Sequence, residues 1–212
     1  MPGPVVAEPL ARERALGALT GLALGDALGM PTQSMSPAQI RRCYGEITGL
    51  RDAVAEQPIA PSVPAGTVTD DTEQALILAG LLIDGGGRID PHQLADALLR
   101  WEDNMRARGS LDLLGPSTKL ALERVRAGAD PHCTGRQGTT NGAAMRVAPV
   151  GIAFSLSADG DALARAVQAS CLVTHDTRQG FEAAGLLAAA VSAAIDGVDA
   201  AGALEAALDF VA

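Results

Sequence analysis

The chain is poor in lysine, aromatic residues and cysteine, and it has no long uninterrupted apolar run. Lys119 is its one lysine, and the arginines are scattered along a sequence of formal net charge -9. With no basic stripe to displace counterions, sustained binding to a nucleic-acid backbone is excluded. Aromatics are only 2% of the residues while hydrophobics reach 48%, much of that alanine, a composition suited to closely packed helices with small contact residues. Each long apolar stretch is broken by Gly, Asp or Ser before it reaches spanning length, so no transmembrane helix and no membrane partner are expected. The start, Met1-Pro2-Gly3-Pro4, has no basic region ahead of an apolar core and predicts no secretory leader. Cys43, Cys133 and Cys171 are odd in number and lack metal-ligand spacing, as expected of reduced thiols in a cytoplasmic protein. Alternating strands, an Asn-Gly hairpin and a fixed-period repeat are all missing. The expectation is therefore an all-α, compact single-domain protein of many helices, with a flexible lead over residues 1–9 and the domain over 10–212.

What is present is organised around Gly66-Thr67-Val68-Thr69-Asp70-Asp71-Thr72. An apolar run of helical length follows, from Ala75 to Ile83, and Pro64, Gly66 and two β-branched residues precede it. The helix is thus predicted to start inside the motif, with Thr69 or Asp70 as N-cap and Glu73 or Gln74 in the first turn. Negative charge suits a helix start, but one aspartate would suffice. Two adjacent carboxylates repel unless something positive lies beside them, and a hard divalent cation with oxygen ligands would serve. Capping and metal binding both remain open on these residues alone.

Upstream, Leu10 to Leu28 has helical periodicity, with Gly17, Gly21 and Gly25 on one face where another helix could approach closely. Asp26 lies in a Gly-rich helix end before Pro31 and reads first as a capping or turn carboxylate. Ser36-Pro37 opens a short helix, and residues 45–65 form a long loop that delivers the Thr-Asp-Asp-Thr stretch. Downstream, helices are predicted from Pro91 to Ala107, from Gly115-Pro116-Ser117-Thr118 onward, from Asp159 through Val173, from Arg178 to Ile195, and from Asp199 onward. The loop from Gly135 through Gly138, Thr139, Thr140, Asn141 and Gly142 runs into Ala143-Ala144-Met145-Arg146. Such a loop suits a phosphate through free backbone N–H groups, or is an ordinary loop with an Asn cap. His175, between Thr174 and Asp176 at a helix boundary, reads as a cap or hydrogen-bonded surface residue, or as a group that contacts a sugar or holds an orientation by donating one ring N–H.

Jointly, four segments carry a resemblance: Gly25-Asp26-Ala27-Leu28-Gly29-Met30-Pro31, Thr69-Asp70-Asp71-Thr72, Asn141-Gly142-Ala143-Ala144-Met145-Arg146 with Ala148-Pro149, and Thr174-His175. In this order they resemble the ADP-ribosylglycohydrolase family over about residues 12–196. The resemblance implies an all-α fold and a pair of Mg²⁺ ions, with Mn²⁺ as an alternative. It implies Thr69, Asp70 and Asp71 as metal ligands, and Asp70, Asp71 and Gln33 as the catalytic set. Gly115, Ser117 and Thr118, with Gly138, Thr139, Thr140, Asn141 and Gly142, would lie near the diphosphate, and His175 near the distal ribose. The implied reaction is hydrolysis of a glycosidic bond at ribose C1″ of an ADP-ribosyl or related ribosyl compound, free or carried on a protein.

Two departures accompany the resemblance. Gln33 stands where much of the family has a Glu, and Gln cannot act as a general base. The late Gly-x-Asp-x-Asp-Thr-type motif that completes the family's metal site is not found in the 212 residues, so the sequence is expected either to be the N-terminal part of the fold or to carry a half-built metal site of weak affinity. A non-catalytic, nucleotide-binding or structural protein of the same fold is one alternative. A hydrolase of a smaller ribosyl compound or nucleoside is the other.

Overall fold

The computed structural model describes residues 9–109 and 114–212, and among these it contains ten α-helices and no strand. The expected lead falls outside the described residues except for Pro9, which opens the first helix. The helices are α1 (Pro9–Gly29), α2 (Pro37–Tyr44), α3 (Asp70–Asp84), α4 (Pro91–Ala107) and α5 (Pro116–Arg126). They continue with α6 (Gly142–Arg146), α7 (Ala148–Ala153), α8 (Gly160–Cys171), α9 (Arg178–Ile195) and α10 (Ala200–Val211). Most starts are written locally. Ser36 and Gln39 form a reciprocal capping box at α2, and Asp90, Asp159, Thr177 and Asp199 each accept a backbone N–H three residues on.

Helix α9 is the centre of the packing and touches α1, α6, α7, α8 and α10. Its inner face is Ala184, Ala188, Ala189, Ser192 and Ala193, all buried. Such a thin face lets backbones approach: a Cβ on Gly151 of α7 would lie 2.3 Å from the Ala188 carbonyl oxygen. Around it, Leu78 and Leu82 (α3), Leu94 and Leu98 (α4), Leu122 (α5) and Leu163 and Val167 (α8) form one apolar core. Each such side chain contributes ~1.5–3 kcal/mol of burial.

Helix α1 departs from expectation. Nothing lies within 4 Å of a Cβ placed on Gly17, Gly21 or Gly25, so the glycine face meets no helix among the described residues. Helix α1 reaches α3, α7 and α9 by other positions, and Ala27 is its one buried residue. Arg14 donates to the Ile195 carbonyl and so caps the end of α9.

The long loop before α3 is tied down by side chains. Tyr44 donates to the Pro31 carbonyl and accepts from Val54 N–H. Buried Gln57 donates through Nε2 to the carbonyls of Met30 and Gln33, each at 3.2 Å, and its Oε1 accepts from Ile59 and Ala60 N–H. These contacts hold the loop against the corner that follows α1, where Ser34 adopts a left-handed backbone (φ 60) directly after Gln33.

Candidate metal centre and adjoining cavity

Asp26, one turn before the end of α1, builds the site. Its Oδ2 accepts from Thr69 N–H (2.8 Å), Thr72 N–H (3.2 Å) and the Thr72 hydroxyl (2.6 Å), and its Oδ1 from the Thr69 hydroxyl (2.7 Å). Thr69 is the N-cap of α3 by backbone geometry, but its side chain caps nothing. The cap comes instead from Asp26, so the expected capping carboxylate serves a helix that begins more than forty residues later in the chain. Both threonines are turned back toward Asp26, which leaves Asp70 and Asp71 to face forward. The Thr69 proton goes to Asp26, the nearer of its two carboxylate neighbours (Asp71 Oδ2 is at 3.3 Å), so a lone pair of Thr69 Oγ1 stays available.

Three carboxylates are thereby gathered with no ion-pair partner among the described residues. Burial and then the charge of Asp71 push Asp70 up to about 7. Asp71 is raised as well, by burial and then by Asp26. A partly buried set of hard oxygen donors (Thr69 Oγ1, Asp70, Asp71) without an ion-pair partner fits a divalent cation of the Mg²⁺ or Mn²⁺ kind.

Two cavities adjoin this cluster. One, of about 330 Å³, is lined by Asp26, Gln33, Thr69, Asp71 and Asn141 together with Gly25, Gly29 and Met30. The other, of about 70 Å³, is lined by Gln33, Asp70, Asp71, Gly115, Thr118, Thr140, Asn141, Gly142 and Met145. Gln33, Asp71 and Asn141 border both. A larger groove of about 450 Å³ between α1, α9 and α10 is apolar except for Arg14 and offers no acid, base or nucleophile.

The structure thus brings together Gln33, Thr69, Asp70, Asp71, Gly115, Thr118, Thr140, Asn141 and Gly142. The other four expected contacts lie outside both cavity linings. The Ser117 hydroxyl accepts from Thr139 N–H and Thr140 N–H and acts as a brace behind the loop. Thr139 has an exposed side chain that lines neither cavity. Gly138 is pressed on the chain at Thr174, where a Cβ would lie 1.9 Å from the carbonyl oxygen, and its own carbonyl accepts from the Thr177 hydroxyl. His175 is fully buried behind Thr140 and Gly142, with 0% exposure. Three amides of this loop are used internally: Gly138 N–H goes to the Gly135 carbonyl, and those of Thr139 and Thr140 to Ser117.

His175 belongs to a chain of polar groups that runs from α3 to the cavity. Buried Arg146 donates to Gln74 Oε1 (3.0 Å) and to Thr174 Oγ1 (2.6 Å). A guanidinium only donates, so the Thr174 hydroxyl proton turns to His175 Nδ1 at 2.8 Å. The ring proton then lies on Nε2 and points to Thr140 Oγ1 at 3.0 Å. Thr140 accepts there, and its own proton is free to face the cavity. Burial and then Arg146 push His175 down to about 4, so the ring is neutral and the polarity of the chain is fixed. Sequence reasoning missed Arg146, Gln74 and Thr174 as members of this network. A charged residue at the end of the short Gly142–Arg146 helix, flanked by apolar Met145 and Val147, was the available signal.

A model of the ADP-ribosylglycohydrolase family matches residues 7–212. The chain is 33% identical over 198 residues to the ADP-ribosylarginine hydrolase Tri1 of Pseudomonas putida, covering 89% of this chain and 48% of that protein. It is 32% identical over 158 residues to the ADP-ribosyl-[dinitrogen reductase] glycohydrolase of Rhodospirillum rubrum, covering 68% and 46%. It is 36% identical over 185 residues to the uncharacterized protein YegU of Escherichia coli, covering 87% and 55%. The chain spans about half the length of the curated relatives it matches.

Proposed function

The chain belongs to the ADP-ribosylglycohydrolase family, and on that premise we propose that it hydrolyses the glycosidic bond joining an ADP-ribosyl or related ribosyl group to its carrier. Residues 10–212 would act as one all-α domain. The observation that carries this reading is the Thr69, Asp70 and Asp71 cluster, whose two carboxylates open without an ion-pair partner on a cavity lined by Gln33, Thr118, Thr140 and Asn141. Those three residues would hold the divalent cation, whose charge, when bound, supplies Lewis-acid polarisation of ribose hydroxyls and of a water.

The chain's own groups do the rest. Thr140, with its proton directed by His175, and Asn141 offer hydrogen bonds that orient the sugar. The carboxylates stabilise positive charge as it develops at C1″. Gln33 hydrogen-bonds but cannot take a proton, so Asp70 and Asp71 are the bases among the groups lining the smaller cavity. The relative named as an ADP-ribosylarginine hydrolase supports an ADP-ribosylated arginine as the first substrate to try, and the one named for ADP-ribosyl-[dinitrogen reductase] supports an ADP-ribosylated protein more broadly. A smaller ribosyl substrate without the diphosphate is the second reading. It is favoured by the internal use of the Gly138, Thr139 and Thr140 amides and by the lack of any Lys or Arg in either lining. No helix among the described residues is long and apolar enough to cross a membrane. A cytoplasmic setting agrees with the three free cysteines.

The test is release of ADP-ribose from an ADP-ribosylarginine peptide by the 212-residue chain, with Mg²⁺, with Mn²⁺ and with EDTA. Turnover that EDTA abolishes and that Asp71→Asn removes is expected. Turnover insensitive to both would sink the reading, and turnover confined to a ribosyl substrate lacking the diphosphate would select the second. Gln33→Glu, which puts a further carboxylate on both cavities, is expected to change kcat by about threefold or more, equivalent to roughly 0.7 kcal/mol. Unaltered kcat and KM would place Gln33 outside the site.

A further inference from the structure

A second cluster of ligating groups lies away from the three carboxylates. His92 is in the first turn of α4, and Asp130 and His132 are in the turn that follows α5. The His92 and His132 rings meet edge to face with centroids 5.3 Å apart. Asp130 Oδ1 accepts both the His132 backbone N–H (3.0 Å) and a hydrogen bond from its ring at Nδ1 (2.9 Å), which fixes that ring. Asp130 Oδ2 receives no protein donor among the described residues. One nitrogen or oxygen from each of the three lies within 4.8 Å of the others. Ligands sharing a tetrahedral zinc stand roughly 3.3–3.5 Å apart, so the exposed side chains need to draw in by little more than a rotamer adjustment.

We propose that His92, Asp130 and His132 form a surface site for a borderline divalent transition metal, Zn²⁺ being the reference ion. Two imidazoles and one carboxylate suit Zn²⁺, Ni²⁺ or Cu²⁺ and are a poor set for Mg²⁺. Water completes the coordination, because all three residues are exposed. The site is distinct from the carboxylate centre. Trp101, nine residues further along α4, donates to Glu73 in the first turn of α3, which places His92 about 13 Å along the helix axis from that contact. An ion here joins the start of α4 to the segment that leads into the Gly135–Gly142 loop. It therefore acts as a clip at the entry to that loop.

The test is Zn²⁺ titration of the ¹⁵N-labelled chain in excess Mg²⁺, following imidazole resonances, with calorimetry on His92→Ala, His132→Ala and Cys133→Ser. The chain has only three histidines, and buried His175 is the internal reference. The expected result is saturable shifts of the His92 and His132 rings at one equivalent, with His175 unmoved. Each His→Ala variant should bind about tenfold more weakly or worse, while Cys133→Ser binds as the parent does. Overturning results are unmoved His92 and His132 rings, a shift of only one of them, parent-like affinity in both His variants, or loss of binding in Cys133→Ser.

Discussion

Replacing Asp70 by asparagine should stabilise the metal-free protein and weaken its response to divalent cations. In the native state Asp70 is raised from 3.8 to about 7, and its ordinary value applies in the unfolded chain. At about 1.4 kcal/mol per pH unit, the ionised form costs up to about 4 kcal/mol above neutral pH. The sign follows from proton binding: between the two values the native state holds the proton and the unfolded state does not. Stability is therefore fully present below the unfolded value and is lost as pH rises through about 7. Asparagine keeps the shape, donates to Asp71 and carries no charge. It gives up about 0.3–1 kcal/mol of favourable interaction with the start of α3. The net gain near pH 8 in EDTA is up to about 3–4 kcal/mol, or roughly 6–15 °C in Tm for a chain of this size. The gain should vanish near pH 4, where wild type is protonated too. A saturating divalent cation, at about a thousand times its Kd, adds about 4 kcal/mol to wild type and less to the variant, which closes or inverts the gap. Thermal denaturation at both pH values, with EDTA and with Mn²⁺, reads all of this. The reasoning is refuted if Asp70→Asn melts no higher than wild type in EDTA near pH 8, or if both gain equally from the cation.

Asp26→Ala removes a carboxylate from the same cluster yet should act with the opposite sign. It strands two helix-start N–H groups and two hydroxyls, a loss of roughly 2–4 kcal/mol after relief of repulsion, measurable by urea denaturation in EDTA. Gly138→Ala should cost roughly 2 kcal/mol or more, because the new methyl meets the backbone at Thr174. Gly21→Ala, with open space around it, should gain about 0.5–1 kcal/mol by the same assay. The His175 ring should titrate near 4 by NMR, and the stability tied to its neutral form should be lost as pH falls from about 6.5 toward that value. A ring midpoint near its ordinary value would mean that the Arg146–Thr174–His175 chain is not formed.

The local half of this protein was legible in its residues. Helix starts at Ser36, Asp90, Asp159, Thr177 and Asp199 were readable because a cap and the N–H it accepts lie three positions apart. The pairing of Asp70 with Asp71 before an apolar run was readable because like charges side by side demand an explanation, and the ordered set of four motifs pointed to the family. What only the tertiary structure decided are contacts between segments that periodicity does not connect. Asp26 caps a helix far along the chain, which no local pattern encodes. Gly17, Gly21 and Gly25 form a stripe suited to a close helix contact, yet spacing cannot say whether another helix occupies it. His175 and Ser117 have the polarity of substrate contacts, but His175 is buried behind Thr140 and Gly142 with its ring against the Thr140 hydroxyl, and the Ser117 hydroxyl accepts two loop amides. Composition and spacing determine which groups a segment can offer. Packing alone determines which of them reach water, substrate or metal, because that depends on what the other nine helices leave uncovered.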